Sequence, residues 1–155
     1  MRLVDDSGDF VELQIADYQF RRIEDEPWDS NWLQIRLNAT VDGKAWTSVD
    51  PSLLTMDVET LANWLDSVAD GRRVDPELDF MEPNLSFQVD GDEPRGIRMR
   101  VWFELESRPP WKKNDVAGAR DFAAQLLVDS EQLRRAALDL RTQLSEFPTR
   151  APIRE

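Results

Sequence analysis

The chain contains neither histidine nor cysteine, and together these two absences remove most familiar active sites. Histidine is the usual general base near neutral pH, and cysteine is the strongest side-chain nucleophile. Ser-His-Asp and Cys-His arrangements are therefore excluded, as are zinc sites built from thiolate and imidazole. Glycine-rich phosphate loops, a nucleophile elbow and His-bearing metalloprotease motifs are also missing. Without cysteine there is no disulfide framework, which fits a reducing compartment. No apolar run approaches the ~18 residues of a membrane span. The opening Met1-Arg2-Leu3-Val4-Asp5-Asp6 lacks the apolar core of a secretory signal, so the expected location is cytoplasmic. The chemistry left open is carboxylate acid–base work, a carboxylate-held magnesium or calcium ion, or a serine–lysine pair.

What the chain does have is acid. Its 155 residues carry 31 Asp and Glu against 19 Lys and Arg, a formal net charge of -12. Such a surface repels nucleic acid and anionic membranes and attracts basic partners. The expectation is a binding protein for something basic, with no nucleic-acid or membrane partner. With 41% hydrophobic residues, the length suffices for one domain with a real core.

Hydrophobic periodicity predicts strands first. Val11, Leu13 and Ile15 alternate with Glu12 and Gln14, and Tyr18 and Phe20 take the opposite parity, which predicts a bulge near Ala16-Asp17. Leu33, Ile35, Leu37, Ala39 and Val41 point one way along the next strand, and Asp42-Gly43 turns it into a short strand around 45–49. Asp50-Pro51 is expected to break that strand. A helix is expected over 57–69, with Asp57 and Glu59 favoured at its start and Gly71 closing its end. Strands follow at 77–82, 85–89, 97–105 and 121–128, with a polar loop from Pro109-Pro110 to near Gly118. Asp129-Ser130-Glu131-Gln132 reads as a capping box opening a last helix that Pro148 stops. The expected fold is a single α+β domain over 1–148, a curved, mostly antiparallel sheet of about seven strands with two helices in the order βββ-α-ββββ-α, and a loose tail over 149–155.

Charge is unevenly spread. Segment 1–31 has nine acids and three arginines, segment 75–93 has seven acids and no base, and segment 94–113 has six bases and two acids. Runs of this kind are ordinarily solvated loops and strand faces. The sharper expectation is that the two acidic segments converge on one docking surface, represented by Glu24, Asp25, Glu26 and Asp29 and by Asp75, Glu77 and Asp79. The run 24–29 lacks the ligand spacing and turn glycine of a calcium loop, so no metal and no cofactor are expected. Paired acids for glycoside-type hydrolysis would have to converge in a pocket, and Lys44, Lys112 and Lys113 sit in turns where nothing would depress a lysine pKa. No catalytic residue emerges.

Six tryptophans offer anchors. Trp46 and Trp64 are expected in or at the edge of the core. Trp32 and Trp102 sit on the polar parity of clean alternating strands. They would emerge on one face among Arg36, Arg98, Arg100 and Glu104 if those strands lay close. Trp and Arg are enriched at interface hot spots, whereas a covering loop is the plainer fate of such rings. Trp28 and Trp111 lie in charged loops and could serve as rim anchors.

Four stretches carry a family resemblance: Trp28-Asp29-Ser30-Asn31-Trp32-Leu33, Asp50-Pro51-Ser52-Leu53-Leu54-Thr55, Glu82-Pro83-Asn84-Leu85-Ser86-Phe87 and Arg108-Pro109-Pro110-Trp111. In these the chain resembles the WapI-type immunity proteins, collinearly over about residues 8–148. The resemblance implies a small cytoplasmic bacterial protein that binds and neutralises the toxic C-terminal domain of a WapA-like contact-dependent polymorphic toxin. Some toxins of that class are nucleases, whose RNA-binding surface must be basic. It implies no catalytic residues, and inhibition by stoichiometric binding. The alternatives are a general protein-interaction module, including a homodimer, and a carboxylate-dependent hydrolase.

Overall fold

The computed structural model describes residues 1–113 and 120–152. Among these residues, eight antiparallel strands form two four-stranded sheets with two helices, so the α+β class is as expected. The first sheet runs in the order β1 (Arg2–Val4), β2 (Phe10–Tyr18), β3 (Trp32–Val41), β4 (Lys44–Leu54). Helix α1 (Thr55–Ala69) follows. The second sheet is β5 (Glu77–Leu78), β6 (Leu85–Glu93), β7 (Gly96–Phe103) and β8 (Ala123–Val128), and α2 (Ser130–Glu146) ends the fold.

The single sheet of about seven strands is thus divided. Among the described residues, no strand of 77–128 pairs with one of 2–54, because α1 ends the first meander and the chain re-enters as a separate one. The added strand, β1, has three residues, too few to show a period of two. Alternate residues of both sheets and one stripe of each helix share one core cluster, including Leu13, Leu37, Phe87, Val101, Leu61 and Leu140. Trp46 and Trp64 are buried in it, as expected.

Local signals mostly act where they stand. The β2–β3 register shifts between Ile15 and Asp17, which is the expected bulge. Asp42 and Gly43 take φ 51° and 75°, the paired left-handed conformation of a tight hairpin turn. The Asp57 carboxylate accepts the Leu54 amide at 2.9 Å across the start of α1. At its other end the Gly71 and Arg72 amides donate to the Val68 and Ser67 carbonyls, closing the helix as Gly71 predicts.

Other expectations are corrected. Asp50-Pro51 does not break β4, because β4 is an edge strand, where a missing N–H is tolerated, and the register slips at Ser52. The strand expected over 77–82 shrinks to two residues, since Phe80 turns inward to meet Phe87 with ring centroids 6.2 Å apart. Strand β7 ends at Phe103, and Leu105 adopts φ 52° to start a 3₁₀ turn over Leu105–Ser107. The tail is held over its first residues: Ala151 is buried, and Thr149 and Arg150 bond to the body. Part of the loop expected to end near Gly118 and the last three residues lie outside the described residues. Among the described residues, no helix is long and apolar enough to cross a membrane.

Candidate docking cleft

Three of the four resembling stretches come together in space. A cleft of about 450 Å³ is lined by Gln19, Phe20, Asp29, Trp32, Asp50, Pro51, Glu82, Asn84 and Glu106. A 3₁₀ turn over Asp29–Asn31 presents Asp29 and leads into Trp32 at the head of β3. The irregular stretch of β4 supplies Asp50 and Pro51. The approach to β6 supplies Glu82 and Asn84, and the turn after β7 supplies Glu106. Four carboxylates and two aromatic rings line one concavity, and among the described residues no basic side chain lines it.

Long-range bonds hold these walls. Buried Asn84 donates to Glu106 at 3.2 Å, while its backbone carbonyl accepts from the Glu104 amide at 3.0 Å and from the Ser107 hydroxyl. The Trp46 indole donates to the Ser107 carbonyl at 2.9 Å and packs edge-on against Phe103, Phe122 and Trp111. Burial raises the Asp50 pKa above the ordinary carboxylate range, and the neighbouring Glu106 charge adds to the rise, with Lys113 opposing both. Among the described residues Asp29, Asp50 and Glu82 have no ion-pair partner. The cleft therefore presents negative charge, only partly offset by Lys113, beside aromatic surface, an environment suited to a guanidinium or ammonium group.

Of the residues singled out from sequence, Asp29 and Trp32 line this cleft. The two acidic segments meet there through Asp29 and Glu82. Glu24, Asp25 and Glu26 are exposed on the loop leading to it, and Trp28 is 45% exposed beside them. Asp75, Glu77 and Asp79 are exposed near β5, where Arg120 pairs with Asp79 and lies 3.8 Å from Glu77. Trp32 and Trp102 do not share a face, because they belong to different sheets. The Trp102 indole donates to Gln88 at 3.1 Å, and the Arg100 guanidinium lies 5.7 Å from its ring. Trp111 is 43% exposed, with one edge against Trp46. Sequence reasoning overlooked Phe20, Asp50, Glu82 and Glu106. The signal was available, because Asp50 and Glu82 open two of the resembling stretches, yet density of acidic residues drew the reading elsewhere.

A larger groove of about 570 Å³ lies where α2 meets the first sheet, but Arg2 and Arg135 face Glu12, Asp129 and Asp139 there, so its charge is mixed. Among the described residues, no group of three or more carboxylates is placed to hold a metal ion. In comparisons with known proteins, the model of the immunity protein WapI-like family matches residues 2–148. No curated protein matches the chain.

Proposed function

Because the chain belongs to the immunity protein WapI-like family, we propose that it binds and neutralises the toxic C-terminal domain of a WapA-like contact-dependent polymorphic toxin, stoichiometrically and without catalysis. The observation that carries the reading is the convergence of three of the four resembling stretches on one acidic, aromatic cleft. The partner domain is basic, as a nuclease surface that grips RNA phosphates must be. Asp29, Asp50, Glu82 and Glu106 receive its cations, and Trp32 and Phe20 provide apolar contact area. Glu24, Asp25, Glu26 and Trp28 form the rim on one side. Asp75, Glu77, Asp79, Trp102 and Trp111 lie outside the cleft and join the interface only if the partner extends over them. The complex forms in the cytoplasm, where the protein covers the substrate surface of the toxin or clamps it in an inactive shape.

The test is co-expression with the C-terminal domain of the protein encoded immediately upstream, about 150 residues long as a domain commonly is. Host survival together with 1:1 co-purification is the expected result. Killing despite co-expression, or a harmless upstream product, would refute the pairing.

A further inference from the structure

The loop that carries Asp29 and leads into Trp32 is fastened from the other end of the chain. Arg150 lies beyond the 2–148 stretch matched to the family. Its Nη1 donates to three backbone carbonyls of that loop, Phe20 at 3.1 Å, Arg21 at 3.2 Å and Ile23 at 2.8 Å. The guanidinium carbon lies 3.5 Å from the Tyr18 ring centroid, and the Tyr18 hydroxyl donates to the Pro148 carbonyl at 2.6 Å. The Arg150 amide donates to Asn31 Oδ1 at 2.9 Å, while Asn31 Nδ2 donates to the carbonyls of Pro27 at 2.7 Å and Ala151 at 2.6 Å. Three carbonyls converging on one point repel each other unless a cation lies between them, and a guanidinium bonded to oxygen is among the stronger neutral-pH links a protein makes. Loop residues 24, 25 and 26 are exposed acids with little apolar surface to order them.

We propose that Arg150 is a positioning residue: it latches the 20–31 loop in the shape that sets Asp29 and Trp32 into the cleft, so that residues from the C-terminal end of the fold determine partner affinity without touching the partner. This inference rests on the cleft being the toxin-facing surface. In solution the latch keeps the loop in its binding-competent form, and the apparent affinity scales with the population of that form.

The experiment uses the full chain with Arg150→Ala and Arg150→Lys. Arg134→Ala serves as a comparator, because Arg134 also bonds a backbone carbonyl and a carboxylate, those of Ala69 and Asp70, away from the loop. Arg150→Ala should accelerate amide hydrogen exchange over 20–31 about tenfold while α1 and the β3 core exchange as before. Its affinity for the co-expressed toxin domain should weaken about tenfold. Arg150→Lys, which keeps the cation, should recover part of both losses, and Arg134→Ala should change neither. Unaltered exchange in Arg150→Ala would overturn the latch. A loosened loop with wild-type affinity would overturn the positioning role. If the wild-type protein itself failed to bind the toxin domain, the functional reading would fall, and the exchange rates would still decide whether the latch exists.

Discussion

Asn31 uses its whole side-chain amide: two donations to carbonyls, and an oxygen that accepts from the Arg150 amide at 2.9 Å and the Thr55 hydroxyl at 3.4 Å. It is fully buried, so no water replaces a lost partner. Asn31→Leu should cost about 2–4 kcal/mol by leaving several buried polar groups unsatisfied, read as a lower urea midpoint at constant slope. A change below ~1 kcal/mol would mean that the network is dispensable. Asp50 yields a pH prediction. Its folded pKa is raised, chiefly by burial and then by Glu106, so folding disfavours the charged form. The penalty is complete above the raised value and fades as pH falls toward the unfolded carboxylate range. Asp50→Asn should therefore raise the melting temperature near pH 8, with the gain closing by about pH 3. A gain that grew on acidification would contradict the assigned environment. Neither residue was recognisable from sequence, because Asn31's partners lie as many as 120 residues away and Glu106, which adds to the shift at Asp50, is brought beside it only by the fold.

At the level of elements, part of the charge reversal at 94–113 is cross-strand compensation. Arg98 pairs with Glu93 at 2.6 Å and Arg100 with Asp90 at 2.7 Å within the β6–β7 hairpin, so these charges are spent internally rather than offered to a partner. Helix α2 shows a related economy. The Asp129 cap accepts the Gln132 amide at 2.7 Å, but the Gln132 side chain does not complete the capping box. It instead pairs with the β1 backbone through Val4, both bonds at 3.0 Å. Three turns on, Gln143 accepts the Ile15 amide at 2.7 Å and donates to the Leu13 carbonyl at 3.3 Å. The two glutamines thus cover backbone groups at the edge of the first sheet, where β1 is too short to protect β2. Gln132→Ala and Gln143→Ala should each cost about 1–2 kcal/mol and add within ~0.5 kcal/mol in the double variant. Chemical denaturation would measure both, and a near-neutral double variant would show that water serves the edge equally well.

Over the whole molecule, a net charge of -12 creates a long-range field, and the cleft decides where that field is met by shaped surface. The triple change Asp29→Asn, Glu82→Gln, Glu106→Gln should slow toxin association about tenfold at low ionic strength and flatten its salt dependence, with a smaller effect on dissociation. Stopped-flow association at several salt concentrations reads this directly, and wild-type rates at low salt would exclude acidic docking. Reversal of Asp75, Glu77 and Asp79 should matter less, because Arg120 already neutralises part of that cluster.

What the sequence determined by itself was set by short-range physics: the period of two in β2, β3 and β7, the bulge at Ala16-Asp17, the Asp42-Gly43 turn, the Gly71 close of α1, the Asp129 cap of α2 and the sign of the surface. Each depends on neighbours within a few residues, and each is found where the pattern puts it. Only the tertiary structure decided that the strands form two sheets, that β4 runs through Pro51 at an edge, and that Trp32 and Trp102 part company. It also selected, from 31 acids, the four that share the cleft. Those outcomes rest on contacts between residues tens of positions apart, whose geometry is fixed by the packing of the common core and leaves no periodic trace along the chain.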